Sequence, residues 1–107
     1  MKGIKLNIIL EIIFRMSTFE VTAYCGGRCC NGKWAGQTAS GKTPCEGRTC
    51  AAGKQYPFGT RIQLDGIGTF TVEDRGSAIT GNRIDIYMNS HQAANNFGRR
   101  TVTGRVL

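Results

Sequence analysis

The sequence predicts a mainly β fold, a small closed or nearly closed barrel of short strands with one short helix. Three observations carry that expectation. Fifteen glycines in 107 residues require many tight turns, and only two prolines accompany them, so the chain reads as a turn-rich globule rather than a disordered tail. The apolar residues, 40% of the total, fall in short runs that alternate with polar ones, the period-two signature of half-buried strands. The length suits one core and is too short for two.

Residues 1–16 open with lysines and an apolar run over 8–14 that resembles the charged and hydrophobic parts of an export signal. Glu11 interrupts the run and no small-residue cleavage site follows; a bilayer span needs about 20 residues. The segment is expected to be an N-terminal extension, a short amphipathic helix or a weak signal-like stretch, with residues 17–107 forming the barrel domain. From Ser17 onward, Phe19, Val21 and Ala23 alternate with Glu20, Thr22 and Tyr24, as in a strand with one buried face. Residues 25–50 show almost no periodicity and read as one long loop, of the kind that tends to carry function.

Pro57-Phe58-Gly59 then turns the chain into a strand over 60–64, and Asp65-Gly66 signals a hairpin into a strand over 68–73. Residues 76–82 connect to a strand over 83–88 with Ile84, Ile86 and Met88 on one face. Ser90 is placed to N-cap a short helix reaching Phe97, and Gly98 to stop it. Residues 100–107 supply the last strand. Closing these five strands on themselves leaves no exposed sheet edge.

Fourteen Lys and Arg against seven Asp and Glu give a formal charge of +7, which draws polyanions: nucleic acid, anionic lipid or an acidic cell-wall polymer. The basic residues are scattered, without an aromatic-basic stripe or a helix-turn-helix pattern, which speaks against nucleic acid. All five cysteines lie between Cys25 and Cys50. An odd number cannot pair completely within the chain. Local disulfides or free thiols are one reading, and zinc held by Cys25, Cys29 and Cys30 with Cys45 or Cys50 is another, although the C-x3-C-C and C-x4-C spacing matches no established zinc knuckle. His91, the one histidine, is expected to be solvated at the start of its helix. No Ser-His-Asp set, phosphate loop or H-E-x-x-H motif is present.

Asp74 ends an alternating run through Phe70 and Val72, so parity places it on the face of two apolar residues near a sheet rim. Asp85 is embedded in the strand-prone run R-I-D-I-Y-M, an uncommon place for a surface carboxylate. On neighbouring strands the two would suit acid/base chemistry on a polysaccharide. The structural alternative is that Asp74 caps a turn and Asp85 pairs with Arg83 or Arg75.

The wider context bears on that choice. Thr22-Ala23-Tyr24, Cys29-Cys30, Gly32-Lys33-Trp34, Thr38-Ala39-Ser40-Gly41, Pro57-Phe58-Gly59-Thr60, the run from Glu73 to Tyr87 and Phe97-Gly98-Arg99-Arg100 occur in this order. Together they resemble the 3D (three-aspartate) domain, a double-psi β-barrel family that includes lytic transglycosylases of the membrane-bound A type, resuscitation factors and stationary-phase survival proteins. The resemblance spans about residues 20–107. It implies a peptidoglycan-cleaving enzyme, secreted or associated with the bacterial cell wall, with Asp85 as catalytic acid/base and Asp74 as a second carboxylate in the same groove. Thr22, Tyr24, Thr38, Ser40 and Arg83 would contact the glycan strand. The implied reaction needs no cofactor and no metal: it cleaves the bond between N-acetylmuramic acid and N-acetylglucosamine and leaves a 1,6-anhydro sugar.

Two positions depart from the family pattern. The family's first aspartate stands shortly before the Pro-x-Gly-Thr turn, whereas residues 50–57 here, CAAGKQYP, contain none. Thr80 stands where lysine is common. The missing aspartate keeps open a second reading, a non-catalytic glycan-binding module. The cysteine cluster alone would favour a third, a metal-dependent interaction module. Trp34 is read as an anchor for the cysteine loop, with stacking on a sugar as its alternative.

Overall fold

A computed structural model of the chain describes residues 16–27, 29 and 36–107. The signal-like residues 1–15, Cys30 and the Gly32-Lys33-Trp34 cluster lie outside them. The described chain forms six strands and one helix: β1 (Met16–Cys25), β2 (Thr49–Ala51), β3 (Arg61–Leu64), β4 (Gly68–Asp74), β5 (Arg83–Met88), α1 (His91–Phe97) and β6 (Arg100–Val106). The strands close into a barrel in the order β1-β5-β2-β4-β3-β6. The mainly β barrel with one short helix is therefore as expected, with one strand more than the sequence revealed. No helix among the described residues is long and apolar enough to cross a membrane.

Alternation builds the interior. Phe19 and Val21 of β1, Ile62 and Leu64 of β3, Phe70 and Val72 of β4, and Ile84 and Ile86 of β5 enter one buried cluster, joined by Cys50 and Phe97. Burying eight such side chains, at roughly 1.5–3 kcal/mol each, is the main drive to close the sheet. The Asp65-Gly66 hairpin forms, with Ile62 opposite Phe70 and Leu64 opposite Gly68. The helix ends where expected: the Ser90 side chain accepts from Ala93 N at 3.1 Å, and Gly98 leaves the helix at φ 68°, a conformation a side chain disfavours.

The unforeseen strand is β2. It has three residues, too few for a periodic signal, and it emerges from the stretch read as loop. It runs parallel to β4 and antiparallel to β5, so the two aspartate-bearing strands are separated by β2 and are not neighbours as expected. Its first residue, Thr49, is fully buried and donates to Glu73 Oε1 at 2.7 Å. The Glu73 carboxylate also takes Arg48 Nε at 3.1 Å. A carboxylate that is 3% exposed requires such partners.

Candidate functional site

The barrel register assembles a row of residues from four strands. Thr22 of β1 sits opposite Asp85 of β5, Asp85 opposite Ala51 of β2, and Ala51 opposite Asp74 of β4. Because Phe19, Val21, Ile84 and Ile86 fill the barrel, their alternates Thr22, Tyr24, Asp85 and Tyr87 face outward. Tyr24, Ala51 and Ile79 form a second buried cluster on that outer face, with Tyr87 packed against it. The Tyr24 and Tyr87 rings meet edge to face at 5.7 Å.

Asp74 reaches this face by a break in parity. The β2–β4 register steps from Cys50 opposite Val72 to Ala51 opposite Asp74, so one extra β4 residue enters and Glu73 is passed over. The expectation that Asp74 shares the face of Phe70 and Val72 is therefore corrected. Its carboxylate is buried and accepts three hydrogen bonds: from the Tyr24 hydroxyl to Oδ2 at 2.7 Å, and to Oδ1 from Ala39 N at 2.9 Å and Arg75 N at 2.8 Å. Burial first, and the bond to Asp74 second, push the Tyr24 hydroxyl far above the ordinary tyrosine range, so it stays a donor.

Asp85 is differently placed. It is half-buried and accepts from Thr22 Oγ1 at 3.0 Å. Burial raises its carboxyl above the usual aspartate range, against the opposing Thr22 hydrogen bond and Arg83 charge; the charge of Asp74 adds a smaller push in the same direction. Desolvation is thus the main cause of the rise and the charge of Asp74 a minor one. The pairing of Asp85 with Arg75 does not form. The Arg75 guanidinium donates to the carbonyls of Ala52 at 3.2 Å, Tyr56 at 2.8 Å and Asp74 at 3.3 Å, and stacks on Phe58 at 4.3 Å, fixing the Pro57 turn. Arg83 Nη1 donates to Ala78 O at 3.2 Å, and its buried Nε has no partner among the described residues.

The remaining polar residues arrive on the loop before β2. Thr38 is buried, donates to Lys42 O, and lies 3.3 Å from Ser40 Oγ. Ser40 N bonds Glu73 O at 3.1 Å, which lays the loop along the end of β4. Beside this face runs a groove of about 570 Å³, lined by Gly53, Lys54, Gln55, Arg75, Ser77 and Thr80; Ile79 joins it to the Tyr24 cluster.

The 3D domain profile matches residues 48–107, more than half of the chain. The protein belongs to the 3D domain family. The cell wall-binding protein YocH of Bacillus subtilis (strain 168) is 34% identical over 110 residues, an alignment that covers 99% of this chain and 37% of YocH. Among solved structures, the barrel is similar to that of MltA from E. coli, with TM-score 0.55 and 20% identity over 65% of this chain and 26% of MltA. This 3D domain chain thus spans well under half the length of either relative.

The structure brings Thr22, Tyr24, Asp74 and Asp85 of the expected site onto one face as two hydrogen-bonded pairs, Thr22 with Asp85 and Tyr24 with Asp74, places Thr38 and Ser40 on the loop that caps Asp74, and turns the guanidinium of Arg83, two positions before Asp85, toward Ala78. In the 3D domain frame, the stretch without aspartate follows β2 and reaches the groove at Gly53 and Lys54. Sequence reasoning missed Ala39 N as a donor, since a backbone amide carries no residue signature. It also missed the grouping of Cys25, Cys29 and His91, whose ligating atoms all lie within 4.8 Å of one another. Cys50 is a different case: burial first, then Glu73, push its thiol up to about 12, and it packs in the barrel interior. Cys45 is exposed and its thiol donates to Glu46 O at 3.5 Å.

Proposed function

We propose that the chain acts on bacterial peptidoglycan as a lytic transglycosylase-like enzyme at the cell wall, with Asp85 as the single acid/base. The observation that carries this reading is the contrast between the two carboxylates on one face: Asp85 is desolvated and has a raised pKa, while Asp74 is held by three donors. A carboxyl whose affinity for its proton is raised by burial is the better suited of the two to act as a general acid. Asp85 donates that proton to the glycosidic oxygen as the C1–O bond breaks. The resulting carboxylate then takes the proton of the muramic 6-hydroxyl as that oxygen bonds to C1, closing a 1,6-anhydro ring without water. Asp74 positions Tyr24 and the Ala39 loop at the edge of the glycan path, and Thr22 orients Asp85.

A second reading, glycan binding without cleavage, is favoured by the aspartate missing between β2 and Pro57 and by the similarity to the cell wall-binding protein YocH. The deciding experiment is mass spectrometry of purified peptidoglycan digested with wild type and with Asp85→Asn. Anhydromuramic ends are expected from wild type and reduced about 100- to 10,000-fold by the substitution, the usual contribution of a general acid. If neither protein releases them while both bind the sacculus, the catalytic reading fails and the binding reading replaces it.

A further inference from the structure

We propose that Cys25, Cys29 and His91 form a zinc-class metal site that staples the start of the long loop to the start of α1. The topology explains why these three residues meet. Strands β1 and β5 run parallel and end side by side, with Cys25 opposite Met88, so the loop leaving β1 and the helix following β5 rise from the same rim. Cys25 is the last residue of β1 and His91 the first of α1. Cys29 returns toward Cys25, bringing the two Sγ atoms to 3.3 Å.

That separation exceeds the S–S bond of about 2.05 Å. Two thiolates at tetrahedral angles around zinc, each about 2.3 Å from it, lie about 3.8 Å apart. With the His91 ring nitrogen inside the same 4.8 Å limit, a shift of about 1 Å gives a Cys2His set; such sulfur and imidazole donors select zinc over magnesium or calcium. Among the described residues no other group of three such donors comes as close. Among the described residues neither Cys45 nor Cys50, the further ligands weighed from sequence, joins this group; Cys50 packs in the barrel interior, and Cys30 lies outside the described residues. The fourth position is left to water or a further donor.

The site is placed to matter. Thr22 and Asp85 lie three residues below Cys25 and Met88 in the same register, roughly 10 Å along the strands. The loop that starts here is tied again at Gly36 N to Gly26 O, 2.9 Å, before it presents Ala39 N to Asp74. A metal at the rim would fix the root of that loop, a positioning role independent of whether the glycan is cut.

The test is spectroscopic and needs no substrate. The full chain, purified under reducing conditions and freed of metal, is titrated with Co2+ and then with Zn2+. About one cobalt per chain, with thiolate-to-cobalt charge transfer and tetrahedral ligand-field bands that zinc bleaches, is the expected result. Cys29→Ser and His91→Ala, both at exposed positions, are each expected to weaken cobalt binding at least about tenfold, while Cys45→Ser leaves it unchanged. Circular dichroism confirms that each variant is folded. The proposal is overturned if folded wild type gives no thiolate charge transfer, if His91→Ala binds as tightly as wild type, or if peptide mapping of a separate preparation isolated without reductant finds Cys25 and Cys29 joined as a disulfide. None of these outcomes depends on glycan cleavage, so failure here and failure of the transglycosylase reading are separable.

Discussion

At the scale of single residues, Asp85 and Tyr24 show how the same outer face stores two opposite demands. The raised pKa of Asp85 means the folded protein binds more protons than the unfolded chain between the ordinary aspartate value, about 3.9, and the folded one. Stability therefore falls as pH rises through that interval. Asp85→Asn keeps an acceptor for Thr22 and removes the buried charge, so thermal denaturation is expected to show a higher Tm than wild type at neutral pH and no difference well below the ordinary aspartate range. A variant that gains stability while losing turnover is the signature of a site held under desolvation strain; equal melting temperatures at neutral pH would mean that Asp85 is solvated. Tyr24→Phe removes the opposite kind of feature. It deletes a 2.7 Å buried bond to a carboxylate, and urea unfolding is expected to lose about 1.5–3 kcal/mol, the range for hydrogen bonds to charged groups.

Among the elements, the barrel closes at the seam of β3 and β6, where Gln63 faces Arg105 and Leu64 faces Gly104. A Cβ on Gly104 would stand 2.4 Å from Gln63 O and 3.2 Å from the Phe19 ring. Backbone cannot yield as a side-chain tip does, so Gly104→Ala is expected to cost about 1–3 kcal/mol by overpacking, read as a lower urea midpoint with an unchanged m-value. A glycine isolated within a strand pattern is a sequence signal for such close approach, and the alternation of Val102 with its neighbours made β6 legible around it. The hairpin at Asp65-Gly66 and the helix from Ser90 to Gly98 were equally legible, because turn and cap residues act within a few positions of themselves. Strand β2 and the face of Asp74 were not. Three residues cannot display a period, and the extra residue at Glu73 is set by pairing with β2, a strand more than 20 positions away. The site's side chains were thus named by the family resemblance, while their arrangement into a row depended on long-range register.

For the whole molecule, the formal charge of +7 and the groove chemistry predict different dependences on salt. Lys42, Arg48 and Lys54 are exposed around the loop and groove that flank the aspartates, and peptidoglycan carries carboxylates on its stem peptides. Attraction between them is long-ranged at low ionic strength and is screened to about 3 Å at 1 M salt. Contacts within a desolvated groove are screened much less. Binding of the chain to purified sacculi is therefore expected to weaken severalfold from low salt to about 1 M, with Lys54→Glu weakening it further at low salt and little at high salt. On the proposed transglycosylase activity, release of anhydromuramic ends at saturating peptidoglycan should hold nearly constant across the same range, because salt removes encounter and uniform binding rather than interactions made in the transition state. Binding that ignores salt would place recognition in the groove itself, and a release rate at saturation that falls in parallel with binding would place the cationic side chains in the chemical step.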